Sequence, residues 1–332
     1  VIYADRIIML AVGAAQLLEF ERSGHTTTRG LLPRDDVVAL RRSVDRVYAE
    51  REVEALRQKA RVLLGDEQQR QIEHSAGAAE GAVKDALRRS IDGLPDGAVP
   101  FLQLFNLWRD SPAVAELWRS PHLAGTAARL LGVARVRLYQ DAFFLKRPGD
   151  GPTHWHSDLA MAPLDTNSFV TCWLPLHDIA APEDGGSALV FASGSHRDVA
   201  LHFWHGDPGC PVDGSDRGYP IRQGGALRMG DATWHHGWVL HSAGPNELLA
   251  PRRAIAVSFF ADGARRLKAA KRTQDDEDAE SCAAWVRDVG EGRPARHKYL
   301  PIVWPPTGEI SGTNLQPKIA RGRQPGRGRS RR

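Results

Sequence analysis

Two histidines and an aspartate have the residue types and the spacing of a mononuclear metal site. His156 and Asp158 are two positions apart, and His241 lies far downstream. On an extended segment residues i and i+2 point to the same side, so one metal ion can bind both His156 and Asp158. Two imidazoles and one carboxylate that leave other positions open are typical of ferrous iron that activates oxygen. The sequence therefore predicts an iron site with ligands His156, Asp158 and His241.

An arginine follows this set in Pro251-Arg252-Arg253. A keto-dicarboxylate such as 2-oxoglutarate binds iron through one end, and its far carboxylate then needs a fixed cation. A guanidinium supplies two parallel hydrogen bonds for that purpose, which an ammonium cannot do. Arg253 competes with Arg252, because alternation places the two side chains on opposite faces of a strand. A barrel strand can be buried on both faces, so alternation alone does not choose between them.

Other histidines compete for the role of ligand. His154 lies two positions before His156 on the same face, and if it bound the metal, Asp158 would support a ligand instead of being one. His235 and His236 could replace His241, donate a hydrogen bond to a ligand, or pack in the interior. A single His-x-Asp triplet is usually a hydrogen-bonded loop feature. The prediction depends on the downstream histidine and arginine as well.

The region 1–132 is predicted to be mainly helical. Proline and two acidic residues at Pro33-Arg34-Asp35-Asp36 are typical of a helix N-terminus, and apolar residues follow at helical spacing. Ser-Pro pairs are typical of two further helix starts. The predicted elements are a strand at 26–28, one or two helices from Pro33 to Leu64, a partly helical connection at 65–99, and helices beginning at Phe101, Ser111 and Ser120.

From residue 133 the pattern changes to short apolar runs between Gly, Pro and Asp turns. Such a pattern is typical of an all-β barrel or jelly roll. We therefore predict an α+β fold with a mainly β core at 133–263, a cupin-like double-stranded β-helix with the helical region packed on it. The predicted strands are 133–146, 170–176, 188–191, 226–229, 238–241 and 254–260.

Three segments are predicted to lie outside this regular core. Residues 197–225 form a long insertion of the kind that closes over ligands. Residues 264–320 form a C-terminal extension, with a basic helix at 265–272, a helix around Trp285 and extended chain at 301–306. The Arg/Gly tail at 321–332 is predicted to be disordered.

Composition narrows the classes of partner and compartment. Lys and Arg exceed Asp and Glu by 44 to 40, and six of these arginines lie in the tail. The body is therefore not basic, and no nucleic-acid partner is predicted. Three scattered cysteines, Cys172, Cys210 and Cys282, argue against a disulfide scaffold and fit a reducing compartment, either the cytoplasm or an organelle lumen. The apolar stretch at 7–18 is too short to span a membrane. Oligomeric state is not predicted.

An ordered set of motifs between residues 18 and 263 resembles the phytanoyl-CoA dioxygenase family of Fe(II)/2-oxoglutarate oxygenases. The order and spacing of the whole set make the resemblance specific. The motifs are Tyr139-Gln140-Asp141, Lys146-Arg147-Pro148-Gly149, Trp155-His156-Ser157-Asp158, Thr171-Cys172-Trp173-Leu174-Pro175, Glu183-Asp184-Gly185-Gly186-Ser187, Ser193-Gly194-Ser195-His196, His241-Ser242-Ala243-Gly244-Pro245-Asn246 and Pro251-Arg252-Arg253.

This resemblance implies roles for eight residues. It makes His156, Asp158 and His241 the iron ligands, and it favours Arg252 over Arg253 for 2-oxoglutarate. The other implied contacts of the co-substrate are Lys146, Trp173, Thr171 and Gln140. The family often has a hydroxyl residue two positions after the distal histidine, where this chain has Ala243; its hydroxyl lies one position earlier, at Ser242. That hydrogen bond is therefore absent here or comes from another residue.

The implied activity is that of a non-haem iron dioxygenase. It would use O2 to hydroxylate a C–H bond of an unidentified small organic substrate, while 2-oxoglutarate is decarboxylated to succinate and ascorbate serves as an optional supporting reductant. Family halogenases have a small residue in place of the carboxylate ligand, so Asp158 predicts hydroxylation. Two alternatives are a catalytically silent jelly-roll binding protein and a metal cupin independent of 2-oxoglutarate; Arg252 argues against the second.

Overall fold

The computed structural model describes residues 12–198, 218–268 and 277–306. Within these ranges most helices precede residue 132 and most strands follow it, as predicted. The helices are α1 (Ala14–Ser23), α2 (Arg34–Leu64), α3 (Asp66–Ala76), α4 (Glu80–Asp92), α5 (Pro112–Trp118), α6 (Pro121–Leu131), α7 (Asp158–Met161) and α8 (Glu277–Asp288). No helix among these described residues is long and apolar enough to cross a membrane.

Local sequence explains where several helices begin and end. The hydroxyls of Ser111 and Ser120 accept hydrogen bonds from the first turns of α5 and α6, each with proline at its first helical position. Gly132 ends α6 with φ of 65°, a left-handed conformation that favours glycine. The helix predicted from Pro33 is one continuous helix, α2, and the connection at 65–99 contains two helices, α3 and α4.

Two antiparallel sheets form the β core. The larger has the order β1-β8-β5-β10-β3-β11, with β2 also pairing with β3, and the smaller has the order β4-β9-β6-β7. The strands are β1 (His25–Thr28), β2 (Leu102–Phe105), β3 (Val136–Lys146), β4 (Thr153–His156), β5 (Phe169–Pro175), β6 (Leu189–Ala192), β7 (Ile221–Gln223), β8 (Ala232–His236), β9 (His241–Ala243), β10 (Arg252–Ala261) and β11 (Ile302–Trp304). The predicted α+β jelly-roll fold is confirmed.

The central strand β10 is buried on both faces. Ile255, Val257 and Phe259 join the core shared with the helices, including Leu40 and Trp118. The alternate residues Ala254 and Ala256 join a second core, with Trp173 and Leu189, between the two sheets. The inner face of the larger sheet and the smaller sheet therefore enclose the interior in which a site can form.

Local predictions failed at four places. The helix predicted from Phe101 is instead strand β2, whose residues are all buried and pair with β3. The strand predicted at 238–241 is a turn, with β8 before it and β9 beginning at His241. Residues 226–229 make only isolated bridges, and 265–268 are not helical. In each case apolar spacing over four to eight residues did not reveal which strand lies alongside.

The larger sheet extends beyond the predicted core at 133–263. Strands β1 and β2 come from the region before it, and β11 comes from the region after it and pairs with β3. In the C-terminal extension, helix α8 forms around Trp285, and the chain at 302–304 is extended, as predicted. Strands from all three predicted regions therefore share one sheet, which agrees with an N-terminal region that is integral to the domain. Residues 199–217 of the insertion, 269–272 of the basic segment and the tail at 321–332 lie outside the described residues.

Candidate metal centre

Adjacent strands bring the two predicted histidine ligands together. His156 ends β4 and His241 begins β9, and these residues are direct partners in the smaller sheet. Their ring centroids are 4.2 Å apart. Ser157 is extended, with φ of −127° and ψ of 135°, so Asp158 reaches the same side as His156 before α7 begins. One potential ligand atom from each of the three residues lies within 4.8 Å of the others.

Backbone carbonyls orient both imidazoles. Nδ1 of His156 lies 2.8 Å from the carbonyl oxygen of His154, and Nδ1 of His241 lies 3.2 Å from that of Val239. Each Nδ1 therefore donates its proton to a carbonyl, and each Nε2 keeps a free lone pair. The two Nε2 atoms lie 3.8 Å and 3.5 Å from Oδ1 of Asp158. The set fits a single metal ion with two nitrogen ligands and one oxygen ligand.

The second oxygen of Asp158 is already bound. Thr171 donates its hydroxyl to Oδ2 at 2.5 Å, and Nε2 of His235 lies 3.0 Å from the same atom. Oδ1 is thereby left to face the two ligand imidazoles. Burial raises the pKa of the Asp158 carboxyl, but His241, His235 and His156 together outweigh that effect and hold the pKa below its ordinary value. The carboxylate is thus ionised and ready to bind a cation.

The structure places the rival histidines in different roles. His154 is exposed, and only its backbone contacts His156. His236 packs against His196, with ring centroids 5.2 Å apart, and accepts a hydrogen bond from the backbone of Trp238. Burial lowers the pKa of His236 to about 4. His235 instead supports Asp158, which is one of the three roles that its sequence position allowed.

We expect the loss of His235 to weaken metal binding without removing a ligand. In a His235→Leu variant, Oδ2 of Asp158 keeps only the hydroxyl of Thr171, so the carboxylate can rotate. Supporting residues of this kind typically change metal affinity about 10- to 100-fold. Calorimetric titration of the metal-free protein with Mn(II) measures the change, and His235→Gln, which retains a donor, should restore part of it. The adjacent His236→Leu is the control, and an equal loss in that variant would contradict the role given to His235.

Arg252 is a buried cation without a counter-ion. Its side chain begins the inner face of β10, is only 4% exposed and donates from Nη1 to the carbonyl of Ser187 at 2.8 Å. Its Nε has no hydrogen-bond partner, and no carboxylate pairs with it among the described residues. Burial lowers the pKa of Arg252 to about 10, which leaves it charged at neutral pH. A buried charge of this kind requires an anionic partner.

One cavity connects this arginine with the three metal-binding side chains. It is lined by His156, Asp158, His241 and Arg252, and also by Trp173 and Thr171. We call it the co-substrate cavity. The guanidinium lies 5.5 Å from the ring centroid of Trp173, whose Nε1 has no partner among the described residues. A small dicarboxylate could therefore contact the metal at one end and Arg252 at the other.

Arg253 lies on the opposite face of the strand. Its side chain is 40% exposed, and its Nε is 3.9 Å from a carboxylate oxygen of Asp45. Its backbone N–H donates to Nε2 of His177. It does not line the co-substrate cavity. The geometry therefore supports Arg252, although Arg253 shares its face with the apolar Ile255 and Val257.

Lys146 holds strands together instead of lining the co-substrate cavity. Its fully buried Nζ donates to the carbonyls of Gly151 and Gly244, at 2.8 and 2.7 Å, and to the hydroxyl of Thr153 at 3.3 Å. These three oxygens match the three donors of an ammonium. Lys146 therefore joins the start of β4 to the end of β9, the two strands that carry His156 and His241. The expected direct contact of Lys146 with the co-substrate is not supported by this placement.

The buried amino group of Lys146, which can donate all three hydrogen bonds only when it is protonated, should make the stability of the metal-free protein depend on pH. Burial, and then the charge of Arg252, lower the pKa of Lys146 from 10.5 to about 7. Between these values the unfolded chain binds more protons than the folded chain, so the free energy of unfolding rises with pH, by up to about 1.4 kcal/mol per unit. Urea titrations at pH 7 to 9 should show a steeper rise for the wild type than for Lys146→Met. If the free energy of unfolding rose equally steeply with pH in the two proteins, the lowered pKa of Lys146 would be contradicted.

The remaining predicted residues lie in one row across the larger sheet. Gln140 is the direct partner of Ser258, Ser258 of Thr171, and Thr171 of His235. Cross-strand partners project from the same face, so the row places these polar groups side by side beneath Asp158. Gln140 and Thr171 are predicted by the resemblance, whereas Ser258 is not. A serine in a strand carries no signal until its neighbours are known.

A threonine stands opposite the position where the hydroxyl residue is missing. Thr153 is the cross-strand partner of Ala243, and both line the co-substrate cavity. The hydroxyl of Thr153 accepts a hydrogen bond from Lys146 at 3.3 Å. The sequence alone could not identify this pair, because Thr153 and Ala243 are brought together only by the pairing of β4 with β9.

Comparison with known proteins relates this centre to one family. The family model described as phytanoyl-CoA dioxygenase (PhyH) matches residues 20–254, which is most of the chain and includes the three metal-binding side chains and Arg252. A protein of Stutzerimonas stutzeri, named "Probable alpha-ketoglutarate-dependent hypophosphite dioxygenase", is 26% identical over 156 residues. That match covers 45% of this chain and 53%, about half, of the relative.

Solved structures share the fold. The non-haem alpha-ketoglutarate-dependent carbocyclase SnoK from nogalamycin biosynthesis superposes with a TM-score of 0.62 at 18% identity, covering 88% of this chain and 96% of SnoK. EctD from S. alaskensis, solved with 2-oxoglutarate and 5-hydroxyectoine, superposes with a TM-score of 0.55 at 17% identity, covering 81% and 83%. At these identities the likeness establishes the jelly-roll architecture.

Proposed function

The chain belongs to the phytanoyl-CoA dioxygenase family, and on that premise we propose that it is an Fe(II)- and 2-oxoglutarate-dependent dioxygenase that hydroxylates a small organic substrate. The observation that carries this proposal is the co-substrate cavity, in which a metal-binding triad and a buried, unpaired arginine face the same space. A binding protein without catalysis would not need an ionised carboxylate between two oriented imidazoles. A metal cupin independent of 2-oxoglutarate would not need a buried guanidinium without a counter-ion.

The donor set fits the two groups that the proposal requires. His156, Asp158 and His241 would hold the iron, and Arg252 would bind the far carboxylate of 2-oxoglutarate through Nε and the second terminal nitrogen. Bound iron would supply activation of O2 coupled to decarboxylation of 2-oxoglutarate to succinate. Asp158 occupies the position at which a halogenase would leave room for a halide, which supports hydroxylation as the outcome.

The protein's own contribution is orientation and exclusion of water. Carbonyls fix the two imidazoles, while Thr171 and His235 fix the carboxylate. Lys146 keeps the two ligand-bearing strands in register. Because Trp173 and Leu189 cover the co-substrate cavity, charges inside it act in a low dielectric, where a guanidinium–carboxylate pair is stronger than in water.

Turnover of the co-substrate tests this proposal directly. Protein reconstituted with Fe(II) under ascorbate should convert 2-oxoglutarate to succinate slowly even without its substrate, and binding of a substrate should increase the rate. Succinate is measured by chromatography, with protein in which Zn(II) replaces Fe(II) as the control. Absence of succinate from a protein that also fails to bind Fe(II) would refute the function.

The reducing compartment is proposed on the two described cysteines, Cys172 and Cys282, which are both buried and free.

A further inference from the structure

A second and larger cavity adjoins the metal centre. It has a volume of about 340 Å³, within the range of small-molecule sites. Neither Arg252 nor Trp173 lines it, but it shares seven residues with the co-substrate cavity: Phe101, Phe144, Thr153, His156, Asp158, Thr171 and Ala256. We call it the outer cavity. A molecule bound there would present its atoms to the metal from a side other than that of the co-substrate.

Five aromatic side chains form part of the wall of the outer cavity, namely Phe101, Phe105, Tyr139, Phe144 and Phe169. Phe101 and Phe144 meet edge to face, with ring centroids 5.5 Å apart, and Tyr139 and Phe169 do so at 5.4 Å. Tyr139 also packs against Trp285 of α8, so this part of the wall is held from behind. These rigid aromatic faces favour a ligand with a large apolar part, because burial of apolar surface and stacking against aromatic rings both stabilise the bound state.

The wall of the outer cavity offers little charge to a ligand. Among the described residues that line it, no lysine or arginine occurs; the ionisable groups are His156 and Asp158 of the metal centre, His154 and Tyr139. Lys59 is nearby, but its Nζ lies 4.9 Å from the ring centroid of Phe101, and Lys59 does not line the cavity. Apart from the metal centre and the imidazole of His154, the wall offers an ionised ligand no counter-charge for the hydration that it would lose, which is unfavourable.

One amide supplies a directed hydrogen-bond donor. The hydroxyl of Ser281 in α8 donates to Oε1 of Gln140 at 2.6 Å, which fixes the orientation of the amide. The Nε2 donors of Gln140 have no partner among the described residues, and Gln140 lines the outer cavity. Two strand spacings separate Gln140 from Thr171, so a bound oxygen would lie roughly 10 Å from the strand that supports Asp158.

We propose that the outer cavity selects an uncharged, mainly apolar substrate whose carbonyl or other acceptor oxygen binds the amide of Gln140, several bonds from the carbon that reacts. That this ligand is the substrate rests on the proposed function. The preference for neutral over charged ligands rests on the cavity alone. Small oxyanions, including the hypophosphite named for the Stutzerimonas stutzeri relative, do not fit a wall of this composition.

Binding of a matched series of probes tests the selection. The probes are 4-phenylbutan-2-one, which is neutral with an acceptor oxygen, butylbenzene, which lacks the oxygen, the anion 4-phenylbutanoate, the cation 4-phenylbutylammonium, and hypophosphite. Affinities are measured by ligand-observed NMR on the full chain, both metal-free and loaded with Mn(II) and 2-oxoglutarate. The ketone should bind at least about 10-fold more tightly than either charged analogue. Equal or tighter binding of a charged probe, or binding of none of the probes, overturns the proposal.

Two variants separate the amide from the aromatic wall. Gln140→Leu should weaken binding of the ketone about 5-fold and leave that of butylbenzene unchanged, because a single neutral hydrogen bond is lost. Phe101→Ala should lower the affinities for the ketone and for butylbenzene by similar factors. An unchanged affinity of Gln140→Leu for the ketone would refute the role of the amide, and circular dichroism checks that both variants fold.

The binding series also distinguishes this inference from the proposed function. If the protein prefers the neutral ketone but never forms succinate, the selective cavity is supported and the dioxygenase function is refuted. If the protein forms succinate but binds charged and neutral probes equally, the dioxygenase function is supported and the selectivity is refuted.

Discussion

His156→Ala should lower the affinity for ferrous iron by at least about 100-fold and abolish succinate formation. The variant leaves one imidazole and one carboxylate, so the ion loses one of only three protein ligands. Residues that merely support a ligand change affinity about 10- to 100-fold, and the loss of a ligand should have a larger effect. His156 is partly buried at the end of β4, and removal of its ring should not unfold the sheet. Anaerobic calorimetry with Fe(II), and succinate assays on the same samples, measure both effects.

The matched control is His154→Ala, on the same strand two positions earlier. Its side chain is exposed and lines the outer cavity, and its backbone carbonyl contacts His156, so iron affinity and succinate formation without substrate should stay within about twofold of the wild type. Comparable losses in the two variants would show that the metal binds differently from the arrangement of His156, Asp158 and His241. The retained fold of both variants is checked by thermal unfolding without metal.

Arg252→Ala should raise the dissociation constant for 2-oxoglutarate about 100-fold and spare the affinity for metal. The variant removes the guanidinium that would pair with the far carboxylate, and two charge-assisted hydrogen bonds together contribute about 3 kcal/mol, a factor of roughly 100. His156, Asp158 and His241 line the same cavity, and no hydrogen bond or ion pair joins them to Arg252 among the described residues. Titration of the Mn(II)-loaded protein with 2-oxoglutarate, after separate titration with Mn(II), resolves the two effects.

Arg253→Ala provides the comparison for that experiment. Its guanidinium is on the outer face, near Asp45, so affinity for 2-oxoglutarate should not change. Arg252→Lys should fall between the wild type and Arg252→Ala, because an ammonium keeps the charge but lacks the paired donors. If Arg252→Ala and Arg253→Ala bound 2-oxoglutarate with equal affinity, Arg252 could not be its binding residue.

Features governed by neighbours in sequence could be predicted. The serine caps of α5 and α6 occur where expected, because capping involves only the adjacent turn. The spacing of His156 and Asp158 was also informative, because an extended residue between them directs both side chains to one side. By contrast, β2 was predicted as a helix, because its apolar residues fit either period until β3 pairs with it.

By itself the sequence determined the chemistry that is available: the two imidazoles, the carboxylate, the arginine and the resemblance that orders them. Only the tertiary structure decided how these groups are used. It separated Arg252, which is buried in the co-substrate cavity, from Arg253, which is half-exposed on the other face of β10. The sequence could not make this choice, because helices cover the outer face and both faces of the strand are apolar. It assigned His235 to Asp158 and Lys146 to the strands that carry the ligands. These contacts join residues far apart in the chain, so no local pattern contains them.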